Sequence, residues 1–222
     1  MSNDKFFNKR KAKSKKSLKR LPATKEIEFK CLIVCEGSKS EPYYFEGLRS
    51  YANLKSVNIV VDGSCDSSPN KVLAHANSLY RKSVRDGDVF DKVYCVIDRD
   101  AHETFEVTID AISRINPKKV YEAVTSIPSF EYWLLLHFIP ATKPYHAIKG
   151  KSAGDQVFDD LVAVFPEYSK GKIGVFSALL EKLPQALVNL EMVTKTMAQS
   201  GTDNPSTNVG SLVSKLLSNK KH

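Results

Sequence analysis

The segment Phe29-Lys30-Cys31-Leu32-Ile33-Val34-Cys35-Glu36-Gly37-Ser38 is apolar from Cys31 to Cys35 and then turns abruptly polar. A short apolar run closed by an acid, a glycine and a serine reads as a strand buried on both faces with a loop at its carboxyl end. Glu41-Pro42 then opens a helix, since proline in a first turn gives up an N–H that has no helical partner anyway. Tyr44, Phe45, Leu48 and Tyr51 recur at helical spacing up to about Leu54. The result is one strand–loop–helix unit.

The same unit repeats downstream. Val57 to Val61 reads as a second strand, Gly63 to Ser68 as a loop, and Ser68-Pro69 as the start of a helix running to Arg85, where Asp86-Gly87-Asp88 stops it. Lys92 to Ile97 is a third strand that ends in Asp98-Arg99-Asp100, and a helix follows from about Thr104 to Arg114. Past Asn116-Pro117, Val120 to Thr125 make a fourth strand and Ser126 to Ser129 a turn. Strands alternating with helices predict an α/β fold, a parallel sheet flanked by helices. Beyond Phe130 the pattern is helical: a dense apolar helix over 130–138, a loop over 139–154 rich in Pro, Lys and Gly, then helices near 155–165, 175–183, 184–199 and 207–217. No strand is expected there. The division expected is a tail over 1–25, an α/β domain over 26–138, and a helical C-terminal lobe over 139–222 packed on that same domain.

Among 222 residues, 42% are hydrophobic and 26% charged, which excludes collagen-like, wholly disordered and disulfide-scaffold classes for the body of the chain. The net charge of +8 is confined to one place: residues 1–25 hold ten Lys and Arg against one Asp, so residues 26–222 carry a net −1. A tail of like charges with few apolar residues is expected to be disordered alone and to give salt-sensitive, sequence-independent attraction to a polyanion. With no apolar stretch of about 18 residues and no apolar segment behind the basic N-terminus, neither a membrane span nor a secretory signal is expected, and the protein reads as cytoplasmic. Cys31, Cys35, Cys65 and Cys95 form no CxxC pair; three of them lie within apolar strand-like runs and read as small hydrophobes, and neither a structural disulfide nor a zinc site is expected. There is no Walker A, GxGxxG, HExxH or GxSxG sequence, and Gly171-Lys172-Ile173-Gly174 lacks the preceding strand that a phosphate loop needs.

Ligand sites of open parallel sheets lie beyond the carboxyl ends of the strands. Glu36 ends the first strand, Asp98 and Asp100 the third. Three carboxylates at one sheet edge repel unless a divalent cation lies between them, so Mg²⁺ or Mn²⁺ explains them economically; polar loop acids are the plain alternative. An extended segment would point Asp98 and Asp100 one way and Arg99 another. Glu131, directly after the fourth strand, could face the same edge as a further metal ligand or general base, or serve as a helix-start carboxylate. His137 falls on a different side of that helix and reads as an ordinary core or surface histidine. Lys39 and Arg99 could hold phosphate or simply be solvated or ion-paired. Lys143 and Tyr145, with Lys149 and Lys151 nearby, could line a nucleic-acid groove in which Tyr stacks on bases. Asn204-Pro205-Ser206-Thr207-Asn208 reads as a turn with a helix N-cap, with a substrate contact open.

Ile33-Val34-Cys35-Glu36-Gly37 and Val96-Ile97-Asp98-Arg99-Asp100 resemble the two hallmarks of TOPRIM domains, a glutamate closing the first strand and an Asp-x-Asp closing the third. More specifically, Cys35 to Phe45, the segment Ser129 to Phe138 and Asn204 to Asn208 resemble the RloB family, related to abortive-infection proteins of the AbiL type. The resemblance spans about residues 27 to 217. It implies a TOPRIM sheet with neighbouring first and third strands, metal on Glu36, Asp98 and Asp100, and chemistry on phosphodiesters. It also implies a setting in bacterial anti-phage defence, where related systems pair a TOPRIM nuclease with an ATPase and in some cases attack tRNA. Two functions are therefore expected to compete: a metal-dependent nuclease acting on RNA or DNA, and a non-catalytic nucleic-acid-binding or sensor subunit whose catalysis lies in a partner. A homo-oligomer is compatible with either.

Overall fold

The computed structural model describes residues 29–54, 59–64, 68–100, 102–115 and 119–218. The basic tail and Cys65 lie outside the described residues. Strands β1 (Cys31–Cys35), β2 (Ile59–Asp62), β3 (Lys92–Asp98) and β4 (Tyr121–Ile127) alternate with helices α1 (Ser40–Tyr51), α2 (Pro69–Arg85) and α3 (Phe105–Arg114). With a short fifth strand, β5 (Ser206–Thr207), these strands form a sheet of order β2-β1-β3-β4-β5, in which the first four are parallel. β1 and β3 are neighbours, with Cys35 opposite Val96 in register, so their carboxyl ends come out side by side.

Alternation along β1 sends Cys31, Ile33 and Cys35 to one face and Leu32 and Val34 to the other. All five are fully buried. Both faces are covered by apolar layers, which is why the run carries no polar alternation. On one face Val72, Ala76, Phe105 and Ile112 of α2 and α3 close the smaller layer. On the other, α1 packs with α4 (Glu131–Leu135), α5 (Ala153–Val164), α6 (Val175–Leu179), α7 (Leu183–Ser200) and α8 (Val209–Ser218) around Trp133 and Phe176. A 3₁₀ turn, Leu180–Lys182, joins α6 to α7. The C-terminal helices share this core with β1, β3 and β4. Cys31, Cys35 and Cys95 are buried in the sheet, and burial pushes the Cys31 thiol up to about 12, in keeping with an inert packing role.

Three expectations are corrected. A strand does occur in the C-terminal part: β5 (Ser206–Thr207) pairs antiparallel with the end of β4, Thr207 opposite Ser126. β4 itself runs to Ile127, so Ser126 is strand rather than turn; its hydroxyl meets the Thr207 hydroxyl at 3.1 Å. The apolar segment after Phe130 is only a five-residue helix, ending in turns at Leu136 to Phe138. Asn208 extends the β4 edge with its side chain, accepting from the Thr125 amide at 2.6 Å and donating to Ala123 O at 3.1 Å. The Asn208 side chain of that segment is thus engaged in structure.

Candidate functional site

β1 delivers Glu36 and β3 delivers Asp98 to adjacent positions, and the backbone locks the two together. The Glu36 amide donates to Val96 O at 3.0 Å, and the Asp98 amide donates to Glu36 Oε2 at 3.1 Å. Glu36 Oε1 faces His102 Nε2 at 3.0 Å. Asp98 Oδ2 accepts the Phe130 amide at 3.0 Å, whereas Asp98 Oδ1 is buried with no hydrogen-bond partner. Buried carboxylate oxygens are rarely left so, because removing a lone pair from water without a partner costs on the order of 1–3 kcal/mol.

Two further acids close around this pair. Glu41, in the first turn of α1, and Glu131, at the start of α4, are both almost fully buried. Ser129 Oγ donates to Glu131 Oε2 at 2.9 Å, and the Tyr168 hydroxyl donates to Glu131 Oε1 at 3.2 Å. Ser40 Oγ sits beside this network, accepting the Gly171 amide at 3.0 Å and lying 3.4 Å from the Tyr168 hydroxyl. A Cβ on Gly37 would fall 2.1 Å from Glu41 Oε2, so only glycine lets the β1–α1 loop pass this close to the carboxylate.

Burial, with the charges of Glu41 and Glu131 behind it, holds Asp98 well above the usual carboxylate range. Burial likewise raises Glu36, against the opposing pull of the Asp98 amide and His102. Glu41 is pushed up to about 7 by burial first and by the Glu131 and Glu36 charges after it. Like charges thus converge where water is scarce.

These groups line an open cavity of about 510 Å³, together with Asp100, Lys39 and Lys170. β3 ends at Asp98, and Asp100 sits at φ 26°, so the Asp98-Arg99-Asp100 segment turns rather than staying extended. Hydrogen bonds from the Arg99 amide to Ser126 O and from the Asp100 amide to Pro128 O hold that turn against the end of β4. Both aspartates nonetheless reach the same cavity, and Arg99 leaves it to pair with Asp203 at 2.6 Å. Lys143 pairs with Asp160 at 2.6 Å and lies over the Tyr145 ring. Tyr145 is core rather than groove: 1% exposed, packed on Tyr132, its hydroxyl donating to Asp160. The expectation of Tyr145 as an exposed ring in an open nucleic-acid groove is corrected accordingly, since the side chain is buried against Tyr132 and Lys143. His137 is buried against Trp133, as a core histidine.

Glu41, His102, Ser129 and Tyr168 were not picked out by sequence reading. Glu41 carried a signal, an acid five residues beyond Glu36 at the start of the next helix, but a helix-start glutamate explained it equally well. Among the described residues no group of three His, Cys, Asp or Glu side chains stands drawn together as a metal cage. What fits a hard cation is the chemistry of the donor set: carboxylate oxygens only, one of them buried and unpartnered, at the wall of an open cavity.

Fold and site together define an α/β protein with a recessed acidic site at the carboxyl edge of a mostly parallel sheet. The chain belongs to the family of RloB-like proteins, whose family model matches residues 31–216. No curated protein and no solved structure matches it.

Proposed function

We propose that the protein is a metal-dependent nuclease with a TOPRIM-type site, hydrolysing phosphodiester bonds of RNA or DNA. The observation that carries this reading is the orphaned Asp98 Oδ1, buried among Glu36, Glu41 and Glu131 at the sheet edge. A carboxylate kept in such surroundings needs a cation to be stable as an anion. Asp98, Glu36 and Asp100 are the residues that would hold Mg²⁺ or Mn²⁺, which when bound supplies charge neutralisation of the diester and a lowered pKa for an attacking water.

The remaining groups have parts of their own. Glu131, held by hydrogen bonds from Ser129 and Tyr168, would serve as general base toward an attacking water. Lys39 and Lys170 line the cavity mouth and meet the flanking phosphates of a polyanion as mobile point charges. His102 orients Glu36. The family resemblance supports a role for this activity in bacterial anti-phage defence in the cytoplasm, with an ATPase as a candidate partner. In keeping with a cytoplasmic setting, no helix among the described residues is long and apolar enough to cross a membrane.

The test is incubation of purified protein with Mn²⁺ or Mg²⁺ and either total RNA or plasmid DNA, followed by mapping of the cut ends. Cation-dependent cleavage is expected, with loss of at least about 100-fold in Asp98→Ala while nucleic-acid binding persists. Cleavage by Asp98→Ala at the wild-type rate sinks the proposal. Binding without cleavage in every condition supports the non-catalytic subunit instead.

A further inference from the structure

A second cavity, of about 240 Å³, adjoins the acidic one and shares Asp100 and Ser152 with it. Its walls include Ile127, Pro128 and Ala147 beside the polar His146 and Asn204, the buried Tyr145 forms part of its lining, and Arg99 reaches it from the turn that carries the two aspartates. The volume falls below the roughly 300–1,000 Å³ of pockets for drug-sized ligands, and suits one planar ring system. Apolar walls with a guanidinium beside them are what a nucleobase asks for, since bases stack on apolar and Arg planes and hydrogen-bond at their edges. Arg99 is available for this: its partner Asp203 is 63% exposed, and exposed ion pairs are worth only about 0–1 kcal/mol.

We infer that this cavity is a base subsite, taking the nucleobase of one nucleotide next to the scissile phosphate. The inference rests on the nuclease reading above and deepens it. The shared wall decides the geometry: with a phosphodiester at Asp98 and Asp100, the base on the Asp100 side has this cavity as its neighbouring recess. A base enters only when it is unpaired and unstacked, and taking it out of a duplex costs a few kcal/mol, so nucleic acid that is single-stranded at the cut is the favoured substrate class.

The experiment compares a single-stranded oligonucleotide with copies carrying an abasic nucleotide on the 5′ or the 3′ side of the mapped cut, in wild type and in Ala147→Phe. Bis(p-nitrophenyl) phosphate, a diester without bases, is run in parallel with wild type. One of the two abasic positions is expected to lower wild-type kcat/KM by roughly 5- to 150-fold, the range that a stacked base contributes. In Ala147→Phe, whose ring fills the recess, that same abasic penalty shrinks towards 1-fold, and a fully paired duplex is cut slowly by both proteins. Equal cleavage of intact and abasic strands by wild type, or an undiminished penalty in Ala147→Phe, overturns the subsite alone. Absence of diester hydrolysis and of strand cleavage by wild type overturns the nuclease reading beneath it.

Discussion

The two oxygens of Asp98 live in different surroundings: Oδ2 accepts the Phe130 amide at 3.0 Å, while Oδ1 is buried without a partner. Burial and the nearby charges of Glu41 and Glu131 set the cost of ionising it. Asp98→Asn keeps the shape and an acceptor for Phe130 but removes the charge. The metal-free variant is therefore expected to melt higher than wild type, by a few °C for about 1–2 kcal/mol in a chain of this size. At the same time it should lose Mn²⁺ affinity. Thermal melts in EDTA and titrations with Mn²⁺ check both, and a lowered melting temperature in EDTA would show that Asp98 is stabilised by something other than a cation. A residue kept for folding does not give this signature, in which a binding group is lost and stability rises.

Elements explain which parts of the molecule were legible from the sequence. α2 has the predicted bounds, Pro69 to Arg85, because proline and Asp86-Gly87-Asp88 punctuate it. β5 was missed because two residues carry no periodicity; Ser206 and Thr207 are strand only by virtue of the β4 edge they meet. The ends of β1 and β3 were legible because an apolar run that stops at an acid leaves little freedom over where the acid lies. Glu41 and Tyr168 were not, since their roles depend on α1 and the loop after α5 folding back onto the same edge. Tyr145 was misread for a related reason: a loop tyrosine resembles a stacking ring until the core behind it is known. Docking of α8 makes a further prediction at this scale. A Cβ on Gly210 would stand 2.5 Å from Leu190 Cδ2 and 2.9 Å from the fully buried Trp133 ring. Gly210→Ala should cost about 1–3 kcal/mol, as overpacking does, even though alanine is the better helix former. Urea denaturation checks the value, and a more stable variant would mean that α8 is free to shift on Trp133.

For the whole molecule, the net charge of +8 separates into a basic N-terminal segment outside the described residues and a near-neutral body with a strongly acidic recess. That recess couples stability to pH and, on the metal-dependent function proposed above, to divalent cations. The Glu41 pKa is raised from 4.5 to about 7 in the folded protein. A carboxyl group raised on folding contributes stability that is fully present below its unfolded pKa and is lost as pH climbs through the folded one. The loss window for Glu41 thus runs from about pH 4.5 to a little above pH 7, and its full size is on the order of 3 kcal/mol. Asp98 and Glu36 are raised too and act in the same direction. A cation held by the site binds the deprotonated form, so it competes with protons and restores what high pH removes. Metal-free wild type should lose melting temperature between pH 5 and pH 8 relative to Glu41→Gln, which lacks that titration. Millimolar Mg²⁺ or Mn²⁺ should raise the wild-type melting temperature by several °C at pH 8 and by much less at pH 5. Taking the difference between the two proteins cancels the titration of groups elsewhere. A metal increment that is the same at both pH values, or a wild-type profile parallel to that of Glu41→Gln, would show that the carboxylates are not coupled through a shared cation site.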